Sequence, residues 1–70
     1  MLSYNLKVLR KTHNLTQNDA SNIFGVKRAA YASYEENRSI PNIFVFMNIC
    51  NYYKIEPKKI LTKKIKINYE

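Results

Sequence analysis

The chain's only glycine, Gly25, sits between two short stretches of helical periodicity, and no other feature restricts the fold so much. Upstream, Thr16 offers a hydroxyl to the free amides of a first helical turn. Ala20, Ile23 and Phe24 then recur at i, i+3 and i+4, an apolar stripe suited to packing on a neighbour. The spacing predicts a helix over Gln17 to Phe24, stopped at Gly25 in the left-handed conformation. Downstream, a helix is predicted from Lys27 to Glu36. It buries Val26, Ala30, Tyr31 and Tyr34 and leaves Lys27, Arg28, Ala29, Ala32 and Ser33 on its outer face. That face is basic, small and free of acids until Glu35 and Glu36. Two short helices joined by a tight turn make a helix-turn-helix unit, and a second helix with such an outer face fits a DNA major groove.

Three further helices are expected around this unit. The first runs from Ser3 to His13, with Leu2, Leu6 and Leu9, joined by Val8 or His13, turned inward. Lys7, Arg10 and Lys11 form its wet side. Arg38-Ser39-Ile40-Pro41 is a connection, because the residue before a proline is driven out of the helical region. Asn42 then caps a helix reaching Tyr53, with Ile43, Phe46, Met47, Ile49, Cys50 and Tyr53 as its core stripe. Phe44, Val45 and Tyr52 occupy the opposite face, where a solvated helix carries charge. They read either as scattered surface apolar residues or as a contact with a second chain. Pro57 opens a last helix to Thr62, and Ile55, Ile60 and Leu61 close the core. Beyond it Ile65, Ile67 and Tyr69 alternate with Lys64, Lys66 and Asn68. Period two predicts a strand, which would need a twin across a dimer to pair with; the other reading is a frayed basic tail. The expected architecture is an all-α, compact five-helix domain over residues 1–61, followed by a basic tail, 62–70, that is either strand or coil.

Seventy residues make one small domain, which buries only roughly 60% of its unfolded surface and depends on tight helix packing. The single Cys50 excludes an internal disulfide and reads as a small core residue, which suits a reducing cytoplasm. The N-terminus has no signal-peptide core, and no apolar run reaches the length of a membrane span. Twelve Lys and Arg against five Asp and Glu give a net charge of +7, which points to a polyanion. The charges are spread over several short elements rather than opposite one broad apolar face, so double-stranded DNA is expected and a membrane is not. His13 stands alone, with no cluster of ligand residues in sequence, so neither a metal nor a cofactor is expected. Catalysis needs converging acids, bases or metal ligands, and one His, one Cys and five acids do not supply them.

The run LTQNDASNIFGVKRAAYASYEENRSIPNI, Leu15 to Ile43, resembles the lambda-repressor-like (Cro/repressor, XRE) helix-turn-helix family. The resemblance extends from about Asn5 to Leu61 and rests on LTQ, the FGV turn, the YEEN stretch and the proline before the fourth helix. It implies a sequence-specific regulator of transcription, a repressor by expectation, that binds operator DNA as a homodimer. Arg28, Ala29, Ala32 and Ser33 stand where the family reaches base edges. Gln17, Lys27, Asn37, Arg38 and Asn42 stand where it approaches phosphates, and Arg10 with Glu35 where it places an ion pair between the first and third helices. Asn14, Asn37 and Lys54 replace frequent glycines. Asparagine accepts positive φ, whereas Lys54 predicts a distorted or differently capped helix end. The alternative is an antitoxin-like or accessory module that holds a protein partner through Phe44, Val45, Tyr52, Ile65 and Ile67.

Overall fold

The computed structural model describes residues 1–66, and within them the chain forms five α-helices and no strand. They are α1 (Leu2–Thr12), α2 (Gln17–Phe24), α3 (Arg28–Glu35), α4 (Ile43–Tyr53) and α5 (Pro57–Thr62). The expected bounds of the second, fourth and fifth helices match. The first lies one residue earlier than expected, and the third is trimmed at both ends because Lys27 and Glu36 are its caps. Ile67 and the rest of the predicted alternation lie outside the described residues.

Local chemistry accounts for each boundary. Thr16 and Asp19 form a reciprocal capping box: the Asp19 amide donates to the Thr16 hydroxyl at 3.0 Å and the Thr16 amide to the Asp19 carboxylate at 2.9 Å, which satisfies two free donors. Those bonds hold the Asp19 carboxyl below its ordinary range. Asn42 Oδ1 accepts from the Val45 amide at 2.9 Å and starts α4, and Pro57 starts α5. The exits of α1 to α4 share one device. Leu15, Val26, Arg38 and Ile55 each donate their amide to the carbonyl five residues back, the long bond that closes a helix through a left-handed residue. Asn14, Gly25, Asn37 and Lys54 are those residues, with φ of 59°, 68°, 59° and 55°. The expected distortion at Lys54 is therefore absent. The lysine adopts the glycine conformation, at a steric cost of about 1–2 kcal/mol.

The helices close around Leu6, Ala20, Phe24, Tyr31, Phe46, Ile49, Cys50, Tyr53 and Ile60. α1 packs on α3 and α5, α2 on α3 and α4, and α4 on α5. Burying each large aliphatic side chain contributes about 1.5–3 kcal/mol. Four residues expected in the core are instead exposed: Ile23, Ile43, Met47 and Leu61. On α4 the reason is geometric. The helix is apolar almost all round, and the stripe Phe46, Ile49, Cys50 and Tyr53 takes the inward phase, which turns Met47 away, while Ile43 is exposed at the helix's first residue.

Two polar residues of α1 reverse their expected places. Arg10, assigned to the wet side, is buried. Asn5 is fully buried and ties residues 60–65 to α1: its amide donates to the carbonyls of Ile60 and Lys63, both at 2.7 Å, and its oxygen accepts from the Ile65 amide at 2.9 Å. These bonds satisfy free carbonyls at the end of α5. Residues 63–65 are consequently neither strand nor frayed, and Ile65 packs on the core.

Candidate nucleic-acid interface

α3 is held from behind by one carboxylate. Glu35 Oε2 accepts from Arg10 Nε at 2.7 Å and from the Tyr31 hydroxyl at 2.6 Å, while Oε1 accepts from Arg10 Nη2 and Gln17 Nε2, both at 3.1 Å. Arg10 Nη1 continues to the Leu15 carbonyl at 2.7 Å. Glu35 thus joins α1, α2 and α3, and Arg10 adds the α1–α2 loop. Burial pushes the Glu35 carboxyl upward, but the bonds from Arg10, Tyr31 and Gln17 outweigh it and hold the pKa below its ordinary value. The same pair raises the Arg10 pKa, and burial with the bond to Glu35 raises that of Tyr31. Such a site is stable only when each charge is matched and each lone pair occupied, as here. Tyr31 was not foreseen in this role, although its i, i+4 relation to Glu35 could have shown it.

The structure places the predicted contact residues unevenly. Lys27, Arg28 and Ala29 are exposed together at the N-terminus of α3, whose first-turn amides receive no side-chain cap. Ala32 and Ser33 follow on the same face, half-buried. The Ser33 hydroxyl donates to the Ala30 carbonyl at 2.6 Å and meets the Ser39 hydroxyl. With its only proton spent, Ser33 retains acceptor capacity alone. The face therefore presents one free multidentate donor, Arg28.

Around it, Asn37 and Arg38 are exposed in the α3–α4 loop, and Asn42 is exposed at the start of α4 with its side chain engaged as cap. Arg38 pairs with Glu36 at 2.9 Å in full solvent, a bond weak enough to yield to another anion. Gln17 is half-buried with one amide proton committed to Glu35, so it braces α2 against α3 and keeps its second amide proton for another acceptor.

The residues expected on a protein interface divide. Phe44 is 78% exposed. Val45 and Ile65 pack against the core instead, Ile65 because the Asn5 side chain holds its amide beside α1. Tyr52 stands edge-on to Phe24 at 5.6 Å and beside Tyr53 at 5.1 Å, part of an aromatic cluster that His13 joins against Tyr53 at 4.9 Å. The Tyr53 hydroxyl is buried with no partner among the described residues, and burial lifts its pKa to about 12. Tyr52 is exposed as well, and Ile40, Phe44 and Ile43 are the most exposed of the large apolar side chains, with Met47 next to them on α4. Beside them lies a groove of about 260 Å³ lined by Leu2, Ile40, Pro41, Ile43, Phe46 and Leu61. Sequence periodicity missed it, since Ile40 lies in the α3–α4 loop, outside any helix.

Among the described residues no group of His, Cys, Asp and Glu could hold a metal, and no helix is long and apolar enough to cross a membrane.

A braced short helix with a basic, small-residue outer face behind a tight left-handed turn defines the helix-turn-helix class, and sequence comparison agrees. A family profile described as "Helix-turn-helix domain" matches residues 4–65, and the chain belongs to this family, of the XRE-like kind. It is also similar to a protein named Antitoxin PezA from Streptococcus pneumoniae serotype 4 (strain ATCC BAA-334 / TIGR4), 34% identical over 55 residues. The match covers 79% of this chain and 35% of the relative, so the chain spans about a third of that protein's length. No solved structure matches.

Proposed function

We propose that the chain is a sequence-specific DNA-binding regulator, a repressor, that reads operator DNA with the N-terminal half of α3 in the major groove. The observation that carries this reading is the pairing of an exposed Lys27-Arg28-Ala29 edge with the Glu35 cluster that fixes the helix from behind. Arg28 makes a bidentate contact to guanine O6 and N7, which discriminates by about 1–3 kcal/mol. Ala29 and Ala32 offer methyl groups suited to thymine. With so few polar readers, the shape and bending of the duplex supply much of the remaining preference. Lys27, Asn37, Arg38, the start of α4 and Gln17 approach phosphates, where helix dipoles and free amides favour anions.

One copy presents one reading helix, so the operator-bound form is a two-fold homodimer with half-sites about one helical turn apart. The groove beside Ile40, Ile43 and Phe44 is our choice for the dimer contact. It carries no charge, so two strongly basic copies approach there without like-charge contact. Fluorescence anisotropy of the full chain on operator and random duplexes over a salt series tests the function. The expected result is tighter operator binding and a log–log salt slope near −0.9 per phosphate neutralised. Equal affinity for both duplexes at every salt concentration would contradict it.

A second reading is supported by the same apolar patch and by the likeness to a protein named as an antitoxin. In it the chain is the DNA-binding part of an antitoxin or accessory module, and Phe44 with its neighbours holds a protein partner. Co-purification of one defined protein that survives high salt and is lost on Phe44→Glu favours that reading over the dimer contact.

A further inference from the structure

The helix-turn-helix face uses less than half of the chain's positive charge. Six of the twelve basic residues are lysines between positions 54 and 66, at the far end of α4, about 16 Å along that helix from Asn42. Lys54, Lys59, Lys64 and Lys66 line a cavity of about 380 Å³ together with Leu9, Tyr53, Ile55 and Ile65. Lys58, Lys59 and Lys63 line a neighbouring one with Glu56 and Thr62. No residue of α2 or α3 is among the described residues lining either. The four lysines are exposed, while Leu9, Ile55 and Ile65 are half-exposed beneath them. Lys64 rests over the Tyr4 ring at 5.0 Å. None of these lysines forms an ion pair among the described residues.

We propose that this lysine-rimmed cavity is a docking site for an acidic peptide segment of a protein partner, one in which aliphatic side chains are flanked by glutamates or aspartates. Rim and floor ask for different chemistry, and only such a segment supplies both. A duplex presents phosphates outward and keeps its thymine methyls inside the major groove, so phosphate contact with the lysines would leave Leu9, Ile55 and Ile65 wet. An anionic membrane accepts apolar groups that project outward, whereas Leu9, Ile55 and Ile65 are only half-exposed among exposed lysines. The rim is all lysine, whose flexible point charges accept carboxylates in many geometries, rather than arginine, whose fork suits paired phosphate oxygens. Asn5 sets the site's shape, because its bonds to Lys63 and Ile65 lay the C-terminal segment beside α1 and make the far wall. The proposal does not depend on the DNA reading.

The test is amide-resolved NMR of the full chain titrated with a short end-capped peptide of glutamates interrupted by leucines. A peptide of the same charge with serine for leucine, a random-sequence duplex, and phosphatidylcholine–phosphatidylserine vesicles are run in parallel. The expected result is saturable shifts at Leu9, Ile55, Lys59 and Ile65, with the leucine peptide at least about tenfold tighter than the serine peptide. The Lys59→Glu, Lys64→Glu double variant should lose that binding by about tenfold or more while its circular dichroism stays helical. Absence of shifts at these amides, equal binding of the two peptides, or stronger perturbation of the same amides by duplex or vesicles would overturn the proposal. The wild-type mapping decides the question even if the double variant fails to fold.

Discussion

The two faces of α3 are built on opposite plans. Inward, Tyr31 and Glu35 sit in a closed set of bonds with Arg10 and Gln17, where every acceptor is used and two ionised groups are held out of water. Outward, from Lys27 to Ser33, the helix carries small side chains, a serine turned on its own backbone, and one long free donor in Arg28. The inner face commits many groups to a single orientation, and on the proposed reading the outer face depends on that orientation, having few polar groups of its own with which to discriminate. In a domain of this size, whose total stability is roughly 4–10 kcal/mol, rigidity of the reading helix has to come from behind.

Breaking the inner face gives the largest expected effect. Glu35→Ala leaves the Arg10 guanidinium buried without its partner, so thermal or urea unfolding should show a loss of about 3–5 kcal/mol. A loss below about 1 kcal/mol, the range of an exposed pair, would mean that the cluster does not brace the helix. The same carboxylate predicts an acid limb. Its folded-state pKa lies below the ordinary 4.5, so its contribution is complete above that value and is lost as pH falls through the lower folded-state value. The stability difference between the wild type and Glu35→Gln should therefore shrink as the pH drops below 4.5, and a constant difference would contradict the assignment.

Breaking the outer face should leave stability alone and change reading. Arg28→Ala should cost about 1–3 kcal/mol on operator duplexes, with an unchanged melting temperature and little effect on random duplexes. Lys27→Ala should weaken operator and random duplexes equally and reduce the salt slope by about 0.9. Equal losses from both variants on both duplexes would erase the division between base reading and phosphate holding. The smallest effect is expected far from α3. Lys54→Gly relieves the left-handed strain of 1–2 kcal/mol and gives back part of it as unfolded-chain entropy, so unfolding should show a gain of roughly 0.5–1 kcal/mol. DNA affinity should not change.

The same contrast explains what could be read from the sequence. Helix number and most helix ends were legible because Thr16, Gly25, Asn42 and Pro57 act locally, each satisfying or withholding a backbone bond within one turn. The outward position of Lys27, Arg28 and Ala29 followed from periodicity alone. What was not legible depends on partners distant in sequence. Periodicity alone puts Arg10 in solvent, and its pairing with Glu35, 25 residues away, was expected only from the family resemblance. Asn5 is polar, yet it falls in phase with Leu2, Leu6 and Leu9, and its partners at Ile60, Lys63 and Ile65 lie at the other end of the chain. A polar residue in phase with an apolar stripe was the available signal for it. On α4 periodicity could not choose, since a helix apolar on all sides has no unique inward face. Only packing showed that Val45 turns in while Ile43 and Met47 turn out.

The central claim is that the outer edge of α3 reads DNA through Arg28, with two copies related by two-fold symmetry. Selection of bound duplexes from a random pool at near-physiological salt, run on the wild type and on Arg28→Ala, tests it most directly. The expected result is an enriched motif with inverted symmetry and half-sites about one helical turn apart, in which one guanine per half-site loses its preference in the variant. An unsymmetric motif, or the same motif from both proteins, would contradict it.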